Sequence, residues 1–374
     1  MNQSAIIVGS GIVGLAVARA LSVKGFLVTV VERHGRATGA SVRNFGMVWP
    51  IGQPGGKLYE RAIASREVWK EISTDGAFPI DNCGSLHLAY HEDEWGVLQE
   101  LAQEFRKEGR PVELKMPDDI LDKFHGVNSD KLKGGLFSET ESIVDPRVAI
   151  GHMPAYLSEK YGVQFIWNRL ITRVEPNKIW SGENWMQADL IFICSGSELE
   201  ALYPEAYSQL SLTKCKLQMM RFTSREPGFR IGTSLCGGLS LIHYDSFKVA
   251  PSLNTLKERY QQEMPQYLKA GIHVMVSQNG SRELTVGDSH EYGHTFSPFD
   301  DAGINQLIVD YLGTFAFKDN WILSQSWHGI YPKMPQGQTE VFLNPEPGVF
   351  ILNGLGGAGM TLSFGLAQEI VYSL

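Results

Sequence analysis

Apolar residues fall into short continuous runs near both ends of the chain and into helix-spaced or alternating patterns between them. Residues 5–8, AIIV, form a run that stops at Gly9. Val13, Val17, Ala20 and Leu21 then recur at the three- and four-residue intervals of one helix face, predicting a helix over 12–23. Gly25 is the stop expected just past such a helix. A second β-rich run over 26–31 ends at Glu32. Residues 36–56 are rich in Gly, Asn and Pro and read as a loop. Helical patterning returns over 58–72, 92–109 and 145–161, with a strand-rich stretch over 78–90. Residues 163–196 read as several strands, VQFIW, ITRV, KIW and ADLIFICSG. The last is apolar almost throughout, as a buried parallel strand is. Residues 217–297 alternate β-rich runs with polar turns around a helix over 255–269, and 304–312 is another helix. The chain closes with the strand GVFILNG, a glycine-rich turn and a helix from about Thr361. There is no internal repeat.

The first strand–helix–strand unit carries a nucleotide-binding pattern. Gly9, Gly11 and Gly14 form GxGxxG, preceded by a strand and opening a helix, and the second strand ends in the acid Glu32. One glycine makes the tight turn, one lets the backbone approach a pyrophosphate, and one lets helix and strand pack closely. The helix N-terminus offers unpaired N–H groups and partial positive charge to phosphates, and the acid meets a ribose hydroxyl. Either NAD or FAD satisfies this pattern.

Composition narrows the partners. The 374 residues suffice for two domains. With 33 Lys plus Arg against 41 Asp plus Glu, the net charge of −8 argues against nucleic acid as a partner. Cys83, Cys194, Cys215 and Cys236 have neither CxxC spacing nor an accompanying His cluster, so reduced thiols are expected and no metal site. No apolar run reaches the roughly 18 residues of a membrane span, and the start lacks a basic leader, so the expected location is cytoplasmic.

Two segments favour FAD. The long segment from Gly39 to Gly56 replaces the regular repeats of an NAD dehydrogenase, and its Phe45, Met47, Val48, Trp49 and Ile51 are too apolar for a free surface loop. Near the C-terminus Gly354, Gly356, Gly357 and Gly359 lie between a strand and a helix. Two glycine-rich helix starts at opposite ends of the chain suit a long, two-ended cofactor, the second stabilising negative charge on a reduced flavin ring.

VGSGIVGLAVARAL with Glu32, SVRNFGM, ITRV before ADLIFICSG, WHGIYP and LGGAGMTLS together resemble the D-amino acid oxidase superfamily of FAD-dependent oxidoreductases, which includes the glycine and sarcosine oxidases. RNFGMVWPIGQPGG followed by SREVW is similar to a subgroup associated with aminophosphonate catabolism. The resemblance implies FAD contacts from Gly9, Gly11, Ile12, Val13, Gly14, Glu32, Arg33, Ser41, Arg43, Asn44, Phe45, Gly46 and Met47. It also implies Val174 at the adenine, Ser195 and Gly196 beside the adenosine, and Gly354, Gly356, Gly357, Ala358, Gly359, Met360 and Thr361 at the flavin. No cysteine follows Cys236, so the covalent link of sarcosine oxidases is absent and non-covalent FAD is expected. Where many of these oxidases carry an arginine for the substrate carboxylate, this chain has Tyr331. A plain amino acid then loses a bidentate anchor, while Lys333 or Arg43 remains for a phosphonate.

Flavin amine oxidation needs positioning groups rather than an acid–base triad, because the cofactor accepts the hydride. No catalytic side chain is therefore expected. Candidates for the substrate pocket are Trp49, His243, Tyr244, His290, His328, Tyr331 and Lys333, though a histidine is more often a satisfied structural residue. The GDSH segment at 287–290 lies too far before Gly354 to be the GD motif of aromatic hydroxylases. The expected fold is α/β, α+β overall. An FAD domain takes 1–80, 142–214 and 325–374, and an antiparallel-sheet substrate domain takes 81–141 and 215–324. The expected reaction is oxidation of a small amine, of the 2-aminoethylphosphonate type and possibly N-alkylated, with oxygen or another electron acceptor. A D-amino acid or glycine/sarcosine-type oxidase or dehydrogenase is one alternative, and a flavin-binding protein without turnover another.

Overall fold

A computed structural model describes residues 3–335 and 338–374. Its first sheet has six strands, in the order Val341–Glu346, Val349–Asn353, Leu190–Ile193, Ser4–Val8, Leu27–Val31 and Gln164–Ile166. All neighbours are parallel except the first pair. Ser4–Val8 is central, with Ile7 opposite Phe192 on one side and Val30 on the other. Side chains alternate between faces. Ala5, Ile7, Val28, Val30 and Phe192 pack under the helices Ile12–Val23, Lys57–Thr74, Pro146–Tyr161 and Gly359–Ser373. Ile6, Val31, Ile191 and Ile193 face a three-stranded sheet, Arg173–Glu175, Lys178–Ser181 and Asn184–Gln187. Burial on both faces explains why these strands read as continuous apolar runs.

The second sheet has nine strands and is antiparallel except where Ser234–Cys236 runs parallel to Ser85–Ala89. Its longest members, Thr213–Ser224 and Trp321–Lys333, pair along nearly their whole length. Both cross the expected domain boundaries at 214 and 325. The helices Glu92–Lys107, Leu253–Glu263 and Ala302–Phe315 contribute Leu98, Leu101, Leu256, Tyr260, Leu312 and Phe315 to its core. A small sheet of Met47–Val48, Ser142–Val144 and Ile80–Asp81 lies apart from both. Arg61, buried on Lys57–Thr74, binds Glu369 in the later turns of the last helix at 2.8 Å and Glu340 at 3.0 Å, holding the two helices together.

Three expectations shift. The helix expected over 255–269 is two, Leu253–Glu263 and Pro265–Lys269, because Met264 before Pro265 leaves helical geometry, with φ −131°. The last helix begins at Gly359, behind a 3₁₀ turn over Gly356–Ala358. The strand Asn184–Gln187, too polar to stand out in the sequence, completes a hairpin. Cys194, Cys215 and Cys236 are buried and Cys83 partly so, none of them in a disulfide. No described helix is long and apolar enough to cross a membrane.

Candidate active site

The first glycine-rich turn opens onto a cleft between strand ends. Gly9, at φ +108°, has no room for a side chain, because a Cβ would overlap the Cys194 carbonyl oxygen. A Cβ on Gly14 would overlap the Gly9 carbonyl oxygen, so the helix Ile12–Val23 can start this close only with glycine there. No side chain caps Gly11, but the Ile12 N–H donates to Ser41 Oγ at 2.9 Å. Ile12 is buried and Val13 partly exposed. The Glu32 carboxylate accepts from Ser10 N and Oγ, both at 3.0 Å, and from His34 N at 3.1 Å. It is thereby held at the cleft wall, which Gly9, Gly11, Arg33, Ser41, Ser195 and Gly196 also line. Arg33 is paired loosely with Glu198, at 3.7 Å. Ser195 Oγ donates to Glu198 O at 2.6 Å, and a Cβ at Gly196 would meet nothing within 4 Å. The far wall is Arg169, Leu170 and Ile171. Val174 lies behind it, buried among Ile171, Ile179 and Val31.

The segment after Gly39 is apolar because it packs inward: Met47, Val48, Trp49 and Ile51 are all buried. Asn44 organises its bend, donating to Ala40 O and Ser41 O and accepting from Gly46 N at 2.7 Å. Gly46 needs its positive φ, +75°, and a Cβ there would overlap the Val144 carbonyl oxygen. Phe45 O accepts from Ser277 Oγ at 2.8 Å, and Arg43 Nη1 donates to His328 O at 3.2 Å. These bonds tie the segment to the nine-stranded sheet.

The two glycine-rich segments meet. Ile12 Cγ2 lies 3.5 Å from where a Cβ of Gly359 would be. Gly354 and Gly356 have φ of +76° and +58°. Met360 O accepts from Trp69 Nε1 at 2.8 Å, and Thr361 Oγ1 from Trp49 N at 2.9 Å. Both of these side chains are buried, so they hold the turn from behind. Tyr331 and Lys333 cross in front of it: the Tyr331 hydroxyl lies 3.6 Å from a Cβ at Gly357, and Lys333 Cγ 3.5 Å from one at Gly356. Lys333 Nζ donates to the Tyr292 hydroxyl at 3.1 Å.

From there a row of rings runs on: the centroids of Tyr292 and His290 lie 6.2 Å apart, His243 stacks on His273 at 3.6 Å, and Tyr244 packs against His243 and Trp49. Trp49 Nε1 is buried without a partner. His243 keeps an exposed surface, yet crowding by protein atoms, with His273 and His290 beside it, holds it well below the usual histidine range. Burial also lowers His290, against the pull of Asp288. Burial raises the Tyr331 and Tyr244 hydroxyls, so both stay protonated donors.

One expected pocket residue points elsewhere. His328 is three residues from Tyr331 on one strand and so on the opposite face, with Nδ1 2.7 Å from Asp300. His273, Asp288 and Tyr292 stand beside these rings without having been singled out, because nothing in the apolar run GIHVMV marks its histidine as facing other histidines.

The residues present fit FAD on their own chemistry: glycines that a Cβ would block, a helix start whose N-cap residue, Gly11, has no side chain, an acid held at the cleft wall, and an orphaned indole N–H. Comparison with known proteins agrees. The chain is 22% identical over 255 residues to a tRNA 5-methylaminomethyl-2-thiouridine biosynthesis bifunctional protein of Nitrosospira multiformis; that match takes in 63% of this chain but only 39% of the relative. It is also 22% identical to D-amino acid dehydrogenase 3 of Mesorhizobium japonicum, over 96% of this chain and 93% of that one. The fold superposes on glycine oxidase from Geobacillus kaustophilus with a TM-score of 0.79 at 18% identity, covering 100% of this chain and 95% of that one. The model of the DAO family, FAD dependent oxidoreductase, matches residues 4–373. The chain therefore belongs to the DAO family of FAD dependent oxidoreductases.

Proposed function

We propose that this enzyme oxidises the C–N bond of a small primary or secondary amine bearing a phosphonate, a 2-aminoethylphosphonate-like compound. The observation that carries this reading is Tyr331 with Lys333 against Gly356 and Gly357. A neutral tyrosine hydroxyl and a lysine replace the bidentate grip that a carboxylate prefers, and both suit the three oxygens of a phosphonate. The two glycine-rich segments would on this reading hold FAD: the N–H groups at the start of Ile12–Val23 would take its pyrophosphate, Glu32 its ribose, and Gly356–Gly359 would face its ring. On this reading the six-stranded sheet and its helices form the FAD domain and the nine-stranded sheet the substrate domain.

Bound FAD supplies a two-electron acceptor for the hydride leaving the substrate α-carbon. The protein supplies placement. Trp49 and Tyr244 shield one side from water, and Lys333 and Tyr331 fix the acidic end so that the amine carbon faces the cofactor. The lone pair of the neutral amine forms the C=N bond as the hydride leaves. Water then adds to the resulting iminium, giving a carbonyl compound and the free amine or ammonia. Oxygen or another acceptor would take up the two electrons that the bound cofactor carries.

A glycine- or D-amino acid-type reaction is the second reading, favoured by the names of the relatives. The two separate on the rate of anaerobic flavin reduction by 2-aminoethylphosphonate, its N-methyl derivative, glycine, sarcosine and D-alanine. Phosphonates should reduce the flavin fastest in the natural protein, and Tyr331→Arg should move the preference toward carboxylates by tenfold or more. Faster reduction by carboxylates in the natural protein would refute the phosphonate reading and leave the second.

A further inference from the structure

Folding gathers three histidines that lie far apart in the sequence. His243 follows the 3₁₀ turn Gly238–Ile242, His273 precedes the strand Met275–Gln278, and His290 sits between Leu284–Gly287 and Glu291–Gly293. One ring nitrogen from each lies within 4.8 Å of the other two. Ring centroids are 3.6 Å apart for His243 and His273, 4.9 Å for His243 and His290, and 5.2 Å for His273 and His290.

The outer partners decide which nitrogens are free. His290 Nδ1 lies 2.8 Å from the Gly271 carbonyl oxygen. A carbonyl only accepts, so Nδ1 carries the proton and Nε2 of the neutral ring keeps its lone pair. His273 Nε2 lies 3.0 Å from Asp288 Oδ1, at ion-pair distance though off the hydrogen-bond axis. The carboxylate favours the proton on that nitrogen, leaving His273 Nδ1, buried and without any partner, as a lone-pair donor. A carbonyl behind His290 and a carboxylate behind His273 are the kind of outer partner that orients metal-ligating histidines.

We propose that His243, His273 and His290 bind a divalent metal ion of the zinc class at the edge of the substrate pocket. Three neutral imidazoles with a fourth position open are a known zinc donor set, with Zn–N near 2.0–2.1 Å and so ligand nitrogens about 3.3 Å apart. The rings lie at 30°, 37° and 18° to one another, so they must turn as well as close inward to reach that spacing, and His243, exposed at the end of a turn, is the least enclosed of the three. Without a metal the cluster presents lone pairs, which repel an anion. With one it presents positive charge beside Lys333 and Tyr292. The metal site stands on the histidine geometry alone. That its open position takes a phosphonate oxygen rests on the substrate reading above.

The test uses the FAD-loaded protein, stripped with a chelator, dialysed, and titrated with Zn²⁺ against a chromophoric chelator. The expected result is one Zn²⁺ per chain. Co²⁺ at the same site should give tetrahedral absorption bands to the red of the flavin bands. His243→Ala should weaken Zn²⁺ at least tenfold, and Asp288→Asn about 10–100-fold, with flavin content reporting that each variant has folded. Binding below one ion per chain, or equal affinity in His243→Ala, would overturn the proposal. So would binding of inorganic phosphate to the metal-free protein that His243→Ala abolishes, which would make the cluster an anion site. No amine is present in the titration, so the two readings fail separately. Zn²⁺ bound without flavin reduction by phosphonates removes only the substrate reading, and reduction by phosphonates without a Zn²⁺ site removes only the metal.

Discussion

His87 lies behind the pocket wall, between Trp49 at 6.0 Å and Phe247 at 5.1 Å, fully buried and with neither ring nitrogen hydrogen-bonded. Burial pushes its pKa down to about 3. The native ring thus stays neutral where the unfolded one, near 6.5, takes up a proton. The sign follows directly: below pH 6.5 the unfolded state binds a proton that the native state refuses, so stability falls as pH falls and stops falling near pH 3. At about 1.4 kcal/mol per pH unit, this single group costs about 2 kcal/mol between pH 7 and pH 5. His87→Leu keeps nearly the same volume and removes the titration. It also removes two unsatisfied nitrogens, so the variant should be no less stable than the parent at pH 7. Urea unfolding of the FAD-loaded proteins at both pH values measures the difference. His243 and His290 are also held below the usual range, so both proteins lose stability on acidification. The parent should lose about 2 kcal/mol more than the variant. Equal losses would show that His87 is protonated, or in contact with water, in the native protein and would refute the reasoning.

Two further outcomes follow from the packing. Gly14→Ala puts a Cβ into the Gly9 carbonyl, so the purified variant should lose its flavin on dialysis; Gly151→Ala, on an open helix face, should keep its flavin and gain up to about 1 kcal/mol from helix propensity. Absorbance spectra of the dialysed proteins check both. Arg61→Met strands Glu340 and Glu369, and because these carboxylates retain water access the loss should be about 2 kcal/mol rather than the ~3–5 of a fully buried pair, as read by thermal unfolding.

What could be read from the sequence was local. The strand, glycine turn, helix and acid of residues 4–32 are set by spacing alone, and Gly9, Gly14 and Glu32 occupy the positions which that spacing implies. The apolar segment after Gly39 was legible as buried because Met47, Trp49 and Ile51 could not all stay in water. The pocket was less so. Its walls come from residues near 49, 243, 273, 290 and 331, which no periodicity links, and the pairing of Thr213–Ser224 with Trp321–Lys333 turns His328 away while bringing Tyr331 in. The histidine cluster escaped a search by spacing because its members lie 30 and 17 residues apart on three segments. The start of the last helix was misplaced by two residues because Gly359, a poor helix former, opens it directly behind Gly356 and Gly357 of the 3₁₀ turn.

The central claim is that this pocket dehydrogenates an amine onto bound flavin. The most direct measurement mixes the oxidised, FAD-loaded protein anaerobically with N-methyl-2-aminoethylphosphonate and, separately, with glycerol 3-phosphate, which offers a phosphorylated alcohol in place of an amine. Flavin absorbance and the carbonyl product are followed together. Bleaching by the amine with one carbonyl formed per flavin reduced is the expected result. Bleaching by the alcohol, with the flavin unchanged by this and every other amine tested, would contradict the account.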